Sequence, residues 1–434
     1  MGHRLSTGDP GFAAAFADFL AARREADADV ADAVGAILAD VRARGDAALI
    51  DHTRRFDRLD LAPETLRFAP AEIDRAVAAC DADTLAALDF AATRIADYHR
   101  RQLPADDRYT DPAGIELGWR WTAIGAVGIY VPGGTAAYPS SVLMNALPAR
   151  IAGVERVAMV VPTPDGEVEP LVLAAARTAG VDEIYRVGGA QAVAALAYGT
   201  ASIAAVDKIV GPGNAYVAEA KRQVFGVVGI DMIAGPSEIM VIADGDNDPT
   251  WIAADLLSQA EHDNAAQAIL VTDDGAFADA VVAAVEVHLA TLARADIARR
   301  SWDDHGAVIL VDDLDEAPAL ADRIAPEHLE IASADAGRLA GRVRNAGAIF
   351  LGRHTPEAVG DYVAGPNHVL PTARSARFSS GLGVLDFMKR TSIVRCDAAG
   401  LAAVGPAAAA LAEAEGLGAH ALSLSVRLKP PPGD

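Results

Sequence analysis

The hydrophobic pattern divides the chain into a helical first part and a later part in which strands and helices alternate. Within residues 11–103, Ala-rich runs with charges at helical spacing predict helices, for example at 30–48 and 70–92. From Trp119 onward, short β-type apolar runs alternate with helical segments. The predicted strands are 124–131, 157–161, 184–187, 206–210, 239–242, 268–271, 307–311 and 348–351. This alternation is typical of an α/β fold with largely parallel sheets.

The alternation falls into two sets, which predicts two α/β units rather than one long sheet. Helices are predicted at 169–179, from Gly188 onward, at 251–261 and at 276–292. A divide between the two units is expected near Gly235 and Pro236. Beyond about residue 382 the alternation stops, and the pattern predicts a helical tail followed by a short extended segment at 423–428.

Length, charge and cysteine content narrow the class of protein. A chain of 434 residues with 52% hydrophobic residues is long and apolar enough for two or more cores. Its formal charge of −23 opposes non-specific binding to nucleic acid or anionic membrane, but not a small cationic substrate. Only Cys80 and Cys396 occur, so we expect no disulfide scaffold and a cytoplasmic location. No apolar stretch reaches the length of a membrane helix.

Three glycine-rich turns each follow a predicted strand. They are Pro132-Gly133-Gly134, 188–191 and 211–214, and none completes the dinucleotide fingerprint G-x-G-x-x-G. Singly, each is more often a tight turn between strand and helix than a binding site. Because the carboxyl ends of parallel strands meet at one edge, three such turns together predict a crevice there, without identifying its ligand.

Polar side chains in three other segments offer nitrogen and oxygen donors. Asp248 and Pro249 begin a helix on which Gln259 and His262 lie three residues apart, on one side and off the apolar stripe. A loop of turn-forming residues contains Asp361, and the tail contains Glu415 and His420. Such donors suit zinc or a similar divalent ion, with no thiolate offered. No pair has a diagnostic metal spacing, so surface positions remain the commoner interpretation.

Glu327 and His328 follow Pro326 directly, after a helical run. A proline before an adjacent acid and imidazole predicts a rigid turn that presents both groups together. Such a pair suits general acid–base catalysis near neutral pH. The alternative is an ordinary helix start with an exposed acid, and the residues alone do not exclude it.

Taken together, these segments closely resemble the histidinol dehydrogenase family. The matching stretches occur in the same order as in the family, from about residue 119 to 428. The helical first hundred residues contribute little to the resemblance. The matching stretches are GIYVPGG at 128–134, VGGAQA at 187–192, DKIVGPGN at 207–214, AGPSE at 234–238, LSQAEH at 257–262, PEHLE at 326–330, residues 362–372, FSSGL at 378–382, KRTS at 389–392 and EGLGAH at 415–420. Long ordered strings of this kind are very specific.

The resemblance implies an activity and a role for each candidate residue. It implies oxidation of L-histidinol through the aldehyde to L-histidine with two NAD and one zinc ion per subunit. Zinc ligands match Gln259, His262, Asp361 and His420, and the acid–base pair matches Glu327 and His328. Substrate contacts match the zinc ligands, the acid–base pair, and also Ser237, His368 and Glu415; NAD contacts match Tyr130, Gln191 and Asn214. None of these positions departs from the family pattern.

The resemblance also implies the organisation of the chain. We expect two Rossmann-like α/β domains with mostly parallel sheets: 26–128 with 237–381, holding the zinc and catalytic residues, and 129–236 on the NAD side. Residues 1–25 form an N-terminal helical segment and 382–434 a C-terminal dimerisation tail. The family is a homodimer whose tail reaches into the partner's site, so Glu415 and His420 would come from the other subunit.

Two competing functions make different demands on the sequence. A paralogue that oxidises another polar alcohol, such as sulfopropanediol, would keep the zinc and NAD positions but change the groups that contact the imidazole. His368 and Glu415 favour histidinol, because a sulfonate would call for an added arginine. A non-catalytic α/β binding protein would have lost Glu327, His328 or a zinc ligand, and all are present. Neither cysteine has a histidine or glycine-turn context, which favours a hydrated aldehyde over a thiohemiacetal.

Overall fold

The computed structural model describes residues 2–22, 30–133 and 138–429. Gly134 of the first glycine turn, and residues 23–25 of the predicted N-terminal segment, lie outside the described residues. Within them the prediction of an α/β fold with mostly parallel sheets is confirmed. The chain divides into two compact units: unit 1 comprises Met1–Gln102 and Gly125–Phe387, and unit 2 comprises Leu103–Ile124 and Met388–Asp434.

The strands and α-helices are numbered separately in chain order. The strands are β1 (His3–Ser6), β2 (Asp107–Thr110), β3 (Glu116–Ala123), β4 (Ala126–Tyr130), β5 (Arg156–Val160), β6 (Glu183–Tyr185), β7 (Lys208–Val210), β8 (Gly229–Ile230), β9 (Glu238–Ala243), β10 (Gln267–Thr272), β11 (Ala307–Leu310), β12 (His328–Ala332), β13 (Ala348–Leu351) and β14 (Met388–Arg395). The helices are α1 (Phe12–Ala21), α2 (Ala31–Arg44), α3 (Asp46–Asp57), α4 (Pro70–Ala79), α5 (Ala82–Arg100), α6 (Pro139–Ala152), α7 (Pro170–Thr178), α8 (Gly189–Tyr198), α9 (Ala215–Val224), α10 (Pro249–Ala260), α11 (Gly275–Leu289), α12 (Ala295–His305), α13 (Ala317–Ile324), α14 (Ala336–Ala340), α15 (Glu357–Tyr362), α16 (Ala398–Ala414) and α17 (Gly418–Leu428). None of these described helices is both long and apolar enough to span a bilayer.

A six-stranded parallel sheet forms one half of unit 1. Its strand order is β1-β11-β10-β9-β12-β13. The central strands β9 and β12 are buried at every position, as expected for a parallel sheet covered on both faces. Helices α10, α11 and α12 pack on one face, and α1, α13 and α14 pack on the other. These strands read as continuous apolar runs, which is why most of them are visible in the sequence.

A five-stranded parallel sheet forms the other half of unit 1. Its order is β6-β5-β4-β7-β8, and helices α2, α8 and α9 pack against it. The chain passes from this sheet to the six-stranded one between β8 and β9. The glycine turns at Gly133, Gly188 and Gly211 follow β4, β6 and β7. Because these three strands are parallel, the turns lie at the same edge of the sheet.

Unit 2 is organised differently from the predicted tail. Strand β14 pairs antiparallel with β3 along its whole length, and β3 pairs with β2. The predicted helical tail is present as α16 and α17, but the prediction of helix is wrong for β14, because most of that strand is exposed and lacks an apolar run. The predicted extended segment 423–428 is also wrong. It belongs to α17, whose Leu428 side chain lies close to Gly405 of α16.

Five further strands were not predicted from the sequence pattern: β1, β2, β3, β8 and β12. Strand β1 has only four residues, and it pairs with β11 at the sheet edge. Strand β12 begins at His328, in the segment where a turn was predicted. Pro326 and Glu327 do precede the strand, and α13 ends at Ala325 in the left-handed conformation. His328 is thus placed by a central strand rather than by a turn.

Candidate active site

A pocket of about 1740 Å³ opens in unit 1. All its described lining residues belong to unit 1, and they include residues of the three glycine turns and of the polar segments around Gln259, Glu327 and Asp361. Ten of the twelve candidate residues line it: Tyr130, Gln191, Asn214, Ser237, Gln259, His262, Glu327, His328, Asp361 and His368. The structure therefore brings together residues from segments that are up to 238 positions apart in the chain.

Strand β12 and its neighbour β9 fix the orientation of the His328 imidazole. His328 is 3% exposed, and its Nδ1 lies 3.0 Å from the carbonyl oxygen of Glu238. Because a carbonyl only accepts, Nδ1 carries the proton and donates it. The Nε2 atom is then the nitrogen that gains or loses a proton. It is buried, and no hydrogen bond to it is found among the described residues.

Three carboxylates surround this imidazole. His328 Nε2 lies 3.4 Å from Asp361 Oδ1 and 3.6 Å from Glu357 Oε1, and Nδ1 lies 3.7 Å from Glu327 Oε2. Burial alone lowers the pKa of His328. The carboxylates, first among them that of Glu357, outweigh burial and raise that pKa well above its ordinary value.

Glu327 is held by reciprocal hydrogen bonds with Glu238. Its Oε2 accepts from the Glu238 backbone N–H at 3.0 Å, and its own N–H donates to Glu238 Oε2 at 3.3 Å. The other Glu238 oxygen, Oε1, accepts from the Ala373 N–H at 3.1 Å. Burial raises the pKa of Glu327 to about 8. Glu327 can therefore exchange a proton near neutral pH, and Glu238 positions both members of the acid–base pair.

Gln259, His262 and Asp361 supply nitrogen and oxygen donors beside the acid–base pair. As predicted, Asp248 caps α10, its side chain accepting from the Thr250 N–H at 2.8 Å. Gln259 is fully buried near the end of α10. His262 lies two residues beyond the last residue of that helix. Burial lowers the pKa of His262 and raises that of Asp361, but the histidines around Asp361 outweigh this and hold its pKa below the ordinary value.

This donor set suits zinc. An amide oxygen, an imidazole and a carboxylate face one pocket, and neither of the two cysteines is among its lining residues. Carboxylate oxygens of Glu357 and Asp361 and a ring nitrogen of His328 also lie within 4.8 Å of one another. Glu357, however, is not among the lining residues, and its carboxylate is engaged by α10. Among the residues that line the pocket, the chemistry of the side chains favours Gln259, His262 and Asp361 as zinc ligands.

His368 lies on the same side of the pocket as Asp361. Its Nδ1 is 3.0 Å from the carbonyl oxygen of Asp361, and its Nε2 is 3.3 Å from Ser141 Oγ. Burial lowers the pKa of His368, so its ordinary state is the neutral ring. The sequence pattern did not indicate Ser141, because this residue lies on α6, more than two hundred residues from His368.

The glycine turns form the other side of the pocket. The Tyr130 hydroxyl accepts from the Gly189 N–H at 3.0 Å, and burial raises the pKa of Tyr130 to about 12, so the phenol stays neutral. Gly211 has φ 107°, and a Cβ there would lie 2.1 Å from the Tyr130 carbonyl oxygen. Only glycine fits this approach of two backbones.

A buried ion pair supports the same turn from behind. Lys221 Nζ pairs with Asp231 Oδ1 and also donates to the Gly211 carbonyl at 3.0 Å. Asp231 Oδ2 accepts from the Gly211 N–H at 2.7 Å. Both backbone groups of Gly211 are therefore held by charged side chains that the sequence pattern did not single out.

Glu415 and His420 are the two candidates outside this pocket. Both belong to unit 2, where Glu415 ends α16 and His420 lies in the first turn of α17. Both side chains are exposed in the single chain. The pocket of one chain is built without them.

The similarity of this chain to known proteins extends over nearly its whole length. Residues 20–428 match the family model described as histidinol dehydrogenase. The chain is 67% identical to the histidinol dehydrogenase of Rhodospirillum rubrum over 98% of each protein. It is 69% identical to that of Nitrobacter winogradskyi over 98% of this chain and 99% of the relative. It also superimposes on the crystal structure of histidinol dehydrogenase from Elizabethkingia anophelis with a TM-score of 0.94, at 34% identity and 98% coverage of each chain.

Proposed function

The chain belongs to the histidinol dehydrogenase family, and we propose that its unit 1 pocket performs the zinc-dependent, NAD-linked oxidation of L-histidinol to L-histidine. The family identity establishes the oxidation step of histidine biosynthesis. The observation that supports the assignment to this pocket is the buried Nε2 of His328, which lies 3.4 Å from Asp361 Oδ1 and beside the nitrogen and oxygen donors.

Substrate orientation is the first task of the pocket. Gln259, His262 and Asp361 would hold zinc, with His420 supplied by a second copy of the chain as the family resemblance implies. When bound, zinc supplies a Lewis acid that orients the nitrogens of the substrate and a positive charge that offsets the carboxylates around His328. His368 and Ser237 line the same wall and are placed to contact the substrate.

The first oxidation converts the alcohol to the aldehyde. His328 Nε2 accepts the hydroxyl proton while a hydride leaves the carbinol carbon for the nicotinamide ring. The carbon loses two electrons with the hydride, and the C–O single bond becomes a double bond. The hydrogen bond from Nδ1 to Glu238 keeps Nε2 directed at the substrate throughout.

The second oxidation requires water. Glu327 accepts a proton from water as the water oxygen bonds to the aldehyde carbon. The aldehyde oxygen takes up the proton that His328 Nε2 gained in the first oxidation, which gives the hydrate and frees Nε2. His328 again accepts a hydroxyl proton, and a second hydride leaves the same carbon, giving the carboxylic acid. The hydrogen bond between Glu327 Oε2 and the Glu238 N–H holds the accepting carboxylate in place.

NAD binding is proposed for the side of the pocket formed by the glycine turns. Asn214 caps α9: its side-chain oxygen accepts from the N–H groups of Tyr216 and Val217 at 3.1 and 3.2 Å. Its amide nitrogen remains a donor on the pocket side, beside a helix N-terminus that favours phosphate. Tyr130 and Gln191 complete this wall.

Replacing Asn214 with aspartate tests this placement. Aspartate keeps the oxygen that caps α9, but it removes the amide donor and adds a negative charge near the phosphates. We expect KM for NAD to rise about 10-fold or more, since each lost charge-assisted contact is worth roughly 1.5–3 kcal/mol. KM for L-histidinol and the thermal midpoint should change little. An unchanged KM for NAD in Asn214→Asp would contradict the placement.

The substrate itself distinguishes histidinol oxidation from the paralogous activity. Purified protein should form two NADH per L-histidinol and none from sulfopropanediol. A sulfonate would need a cationic side chain beside His328, whereas the charged side chains nearest to that imidazole are the carboxylates of Glu327, Glu357 and Asp361. NADH from the sulfonated alcohol, without NADH from L-histidinol, would overturn the proposal.

Assembly, domain limits and location complete the proposal. We propose a homodimer in which 382–434 forms the dimerisation tail and supplies Glu415 and His420 to the partner's pocket. We keep 1–25, 26–128 with 237–381, and 129–236 as the proposed domain limits, and the change of sheet between β8 and β9 supports the limit at residue 236. Two segments of 26–128 do not follow these limits: α2 and α3 pack against the five-stranded sheet, and residues 103–124 belong to unit 2. A cytoplasmic location stays a prediction from the cysteine content.

A further inference from the structure

Glu357 is a buried carboxylate behind the pocket wall. It begins α15, four residues before Asp361, so the two carboxylates lie on the same face of one helical turn. Asp361 lines the pocket, whereas Glu357 does not, and the Glu357 side chain is only 2% exposed. The proposed mechanism gives Glu357 no task, although a buried carboxylate is costly without a specific partner.

The partner of Glu357 is the side-chain amide of Gln259. An ionised carboxylate offers only hydrogen-bond acceptors, so the nitrogen of the Gln259 amide, not its oxygen, must face Glu357. In that orientation Gln259 donates to Glu357 Oε1 and also to Oε2 at 3.1 Å. The Gln259 oxygen then accepts from Ser237 Oγ at 3.3 Å. Since Ser237 and Gln259 both line the pocket, the amide oxygen is turned toward the pocket wall.

Neighbouring groups fix the Glu357 carboxylate in turn. Ser258 Oγ lies 3.2 Å from Glu357 Oε2, on the residue next to Gln259 in α10. Glu357 Oε1 lies 3.6 Å from His328 Nε2. The carboxylate is therefore held between α10 and β12 and cannot rotate away without losing these contacts.

We propose that Glu357 is a positioning residue that fixes which end of the Gln259 amide faces the pocket. This rests on the zinc site proposed above. An amide oxygen binds a cation, whereas the NH₂ end of the same amide carries only donors and repels it. By accepting from Nε2, Glu357 keeps the oxygen directed at the ion. Residues that orient a metal ligand in this way commonly change metal affinity about 10–100-fold when they are replaced.

The test is the zinc affinity of the full-length protein, measured by competition with a chromophoric chelator. Glu357→Leu removes both acceptors, and we expect zinc to bind about 10–100-fold more weakly. Glu357→Gln keeps the size and one neutral acceptor, so its affinity should fall between those of wild type and Glu357→Leu. The second variant decides the question if leucine prevents folding.

Two further variants separate positioning from a general effect. In a Gln259→Ala background, Glu357→Gln should change zinc affinity less than about twofold, because the residue acts through the missing amide. Glu183→Gln is the control: its carboxylate is partly buried on β6, pairs with Arg156 at 2.9 Å and does not line the pocket. It should bind zinc as wild type does.

Three results would overturn the proposal. One is wild-type zinc affinity in both Glu357 variants, another is an equal loss with and without Gln259, and the third is an equal loss in Glu183→Gln. If the wild-type protein itself binds no zinc, the proposed zinc site fails, and the inference about Glu357 fails with it. The wild-type titration therefore distinguishes failure of the site from failure of the positioning role.

Discussion

Replacing His328 with asparagine is expected to slow both oxidation steps by about 10³-fold, the range over which a positioned general base acts. Asparagine is the appropriate replacement because its Nδ2–H can still donate to the Glu238 carbonyl, as His328 Nδ1 does at 3.0 Å. The change therefore removes Nε2 and little else. Steady-state NADH formation, measured separately from L-histidinol and from L-histidinal, gives both rates.

Zinc content shows whether this loss comes from the base. His328 is not one of the proposed zinc ligands, so the asparagine variant should hold as much zinc as wild type. His354→Asn is the matched control, because His354 is exposed and does not line the pocket. That control should keep wild-type activity. Loss of zinc from His328→Asn would instead assign His328 to the metal, and the base would have to be sought elsewhere.

Replacing Glu327 with glutamine is expected to impair aldehyde oxidation much more than alcohol oxidation. Glutamine keeps the size and an oxygen that can accept from the Glu238 N–H, but it cannot take a proton from water. We expect oxidation of L-histidinal to fall by about 10²-fold or more, and the first hydride transfer from L-histidinol to fall far less. Single-turnover kinetics separate the two steps.

The pH profile gives this prediction a second measurement. Glu327 acts as a base only when ionised, and burial raises its pKa to about 8. Aldehyde oxidation by wild type should therefore increase as the pH rises through about 8. The glutamine variant should lose this increase. Equal losses of the two oxidation steps, or an unchanged pH profile, would contradict the role of Glu327 in activating water.

The strands and helices of unit 1 were largely predictable because their apolar patterns are simple. Strand β13 lies at the predicted residues, and α10 begins at the predicted Asp248 cap. Strand β14 was not predictable, because its exposed polar residues are stabilised by pairing with β3, far away in the chain. Helix α17 was missed for a similar reason: its helical state depends on packing against α16.

The residues of the candidate site also fall into two groups: those that a local sequence pattern indicates, and those whose role depends on contacts between distant parts of the chain. The sequence singled out Glu327 and His328 because they are adjacent, and Gln259 and His262 because they share a helix side. It did not single out Glu238 or Glu357, whose importance lies in contacts made across the fold. Glu238 contacts Glu327 and His328 about ninety residues away, and Glu357 contacts Gln259 from another helix. The spacing of Glu357 and Asp361 on one helix face was the one local signal available.

The position of the two tail residues bears on how the site is completed. Gln259, His262 and Asp361 offer three donors within one chain, which leaves a fourth position for an outside ligand. His420 and Glu415 are exposed on unit 2 of the single chain, where a second copy can reach them. A shared site would make activity depend on assembly, and it would explain why these polar residues lie in an otherwise Ala-rich tail.

In the proposed mechanism, zinc held by pocket residues is required for NADH formation from L-histidinol. The most direct test treats the purified protein with a chelator, removes the chelator, and then restores zinc in steps. We expect NADH formation to be lost with the metal and to return in full at one zinc per subunit, with two NADH formed per L-histidinol. Undiminished NADH formation by protein shown to be free of metal would contradict it.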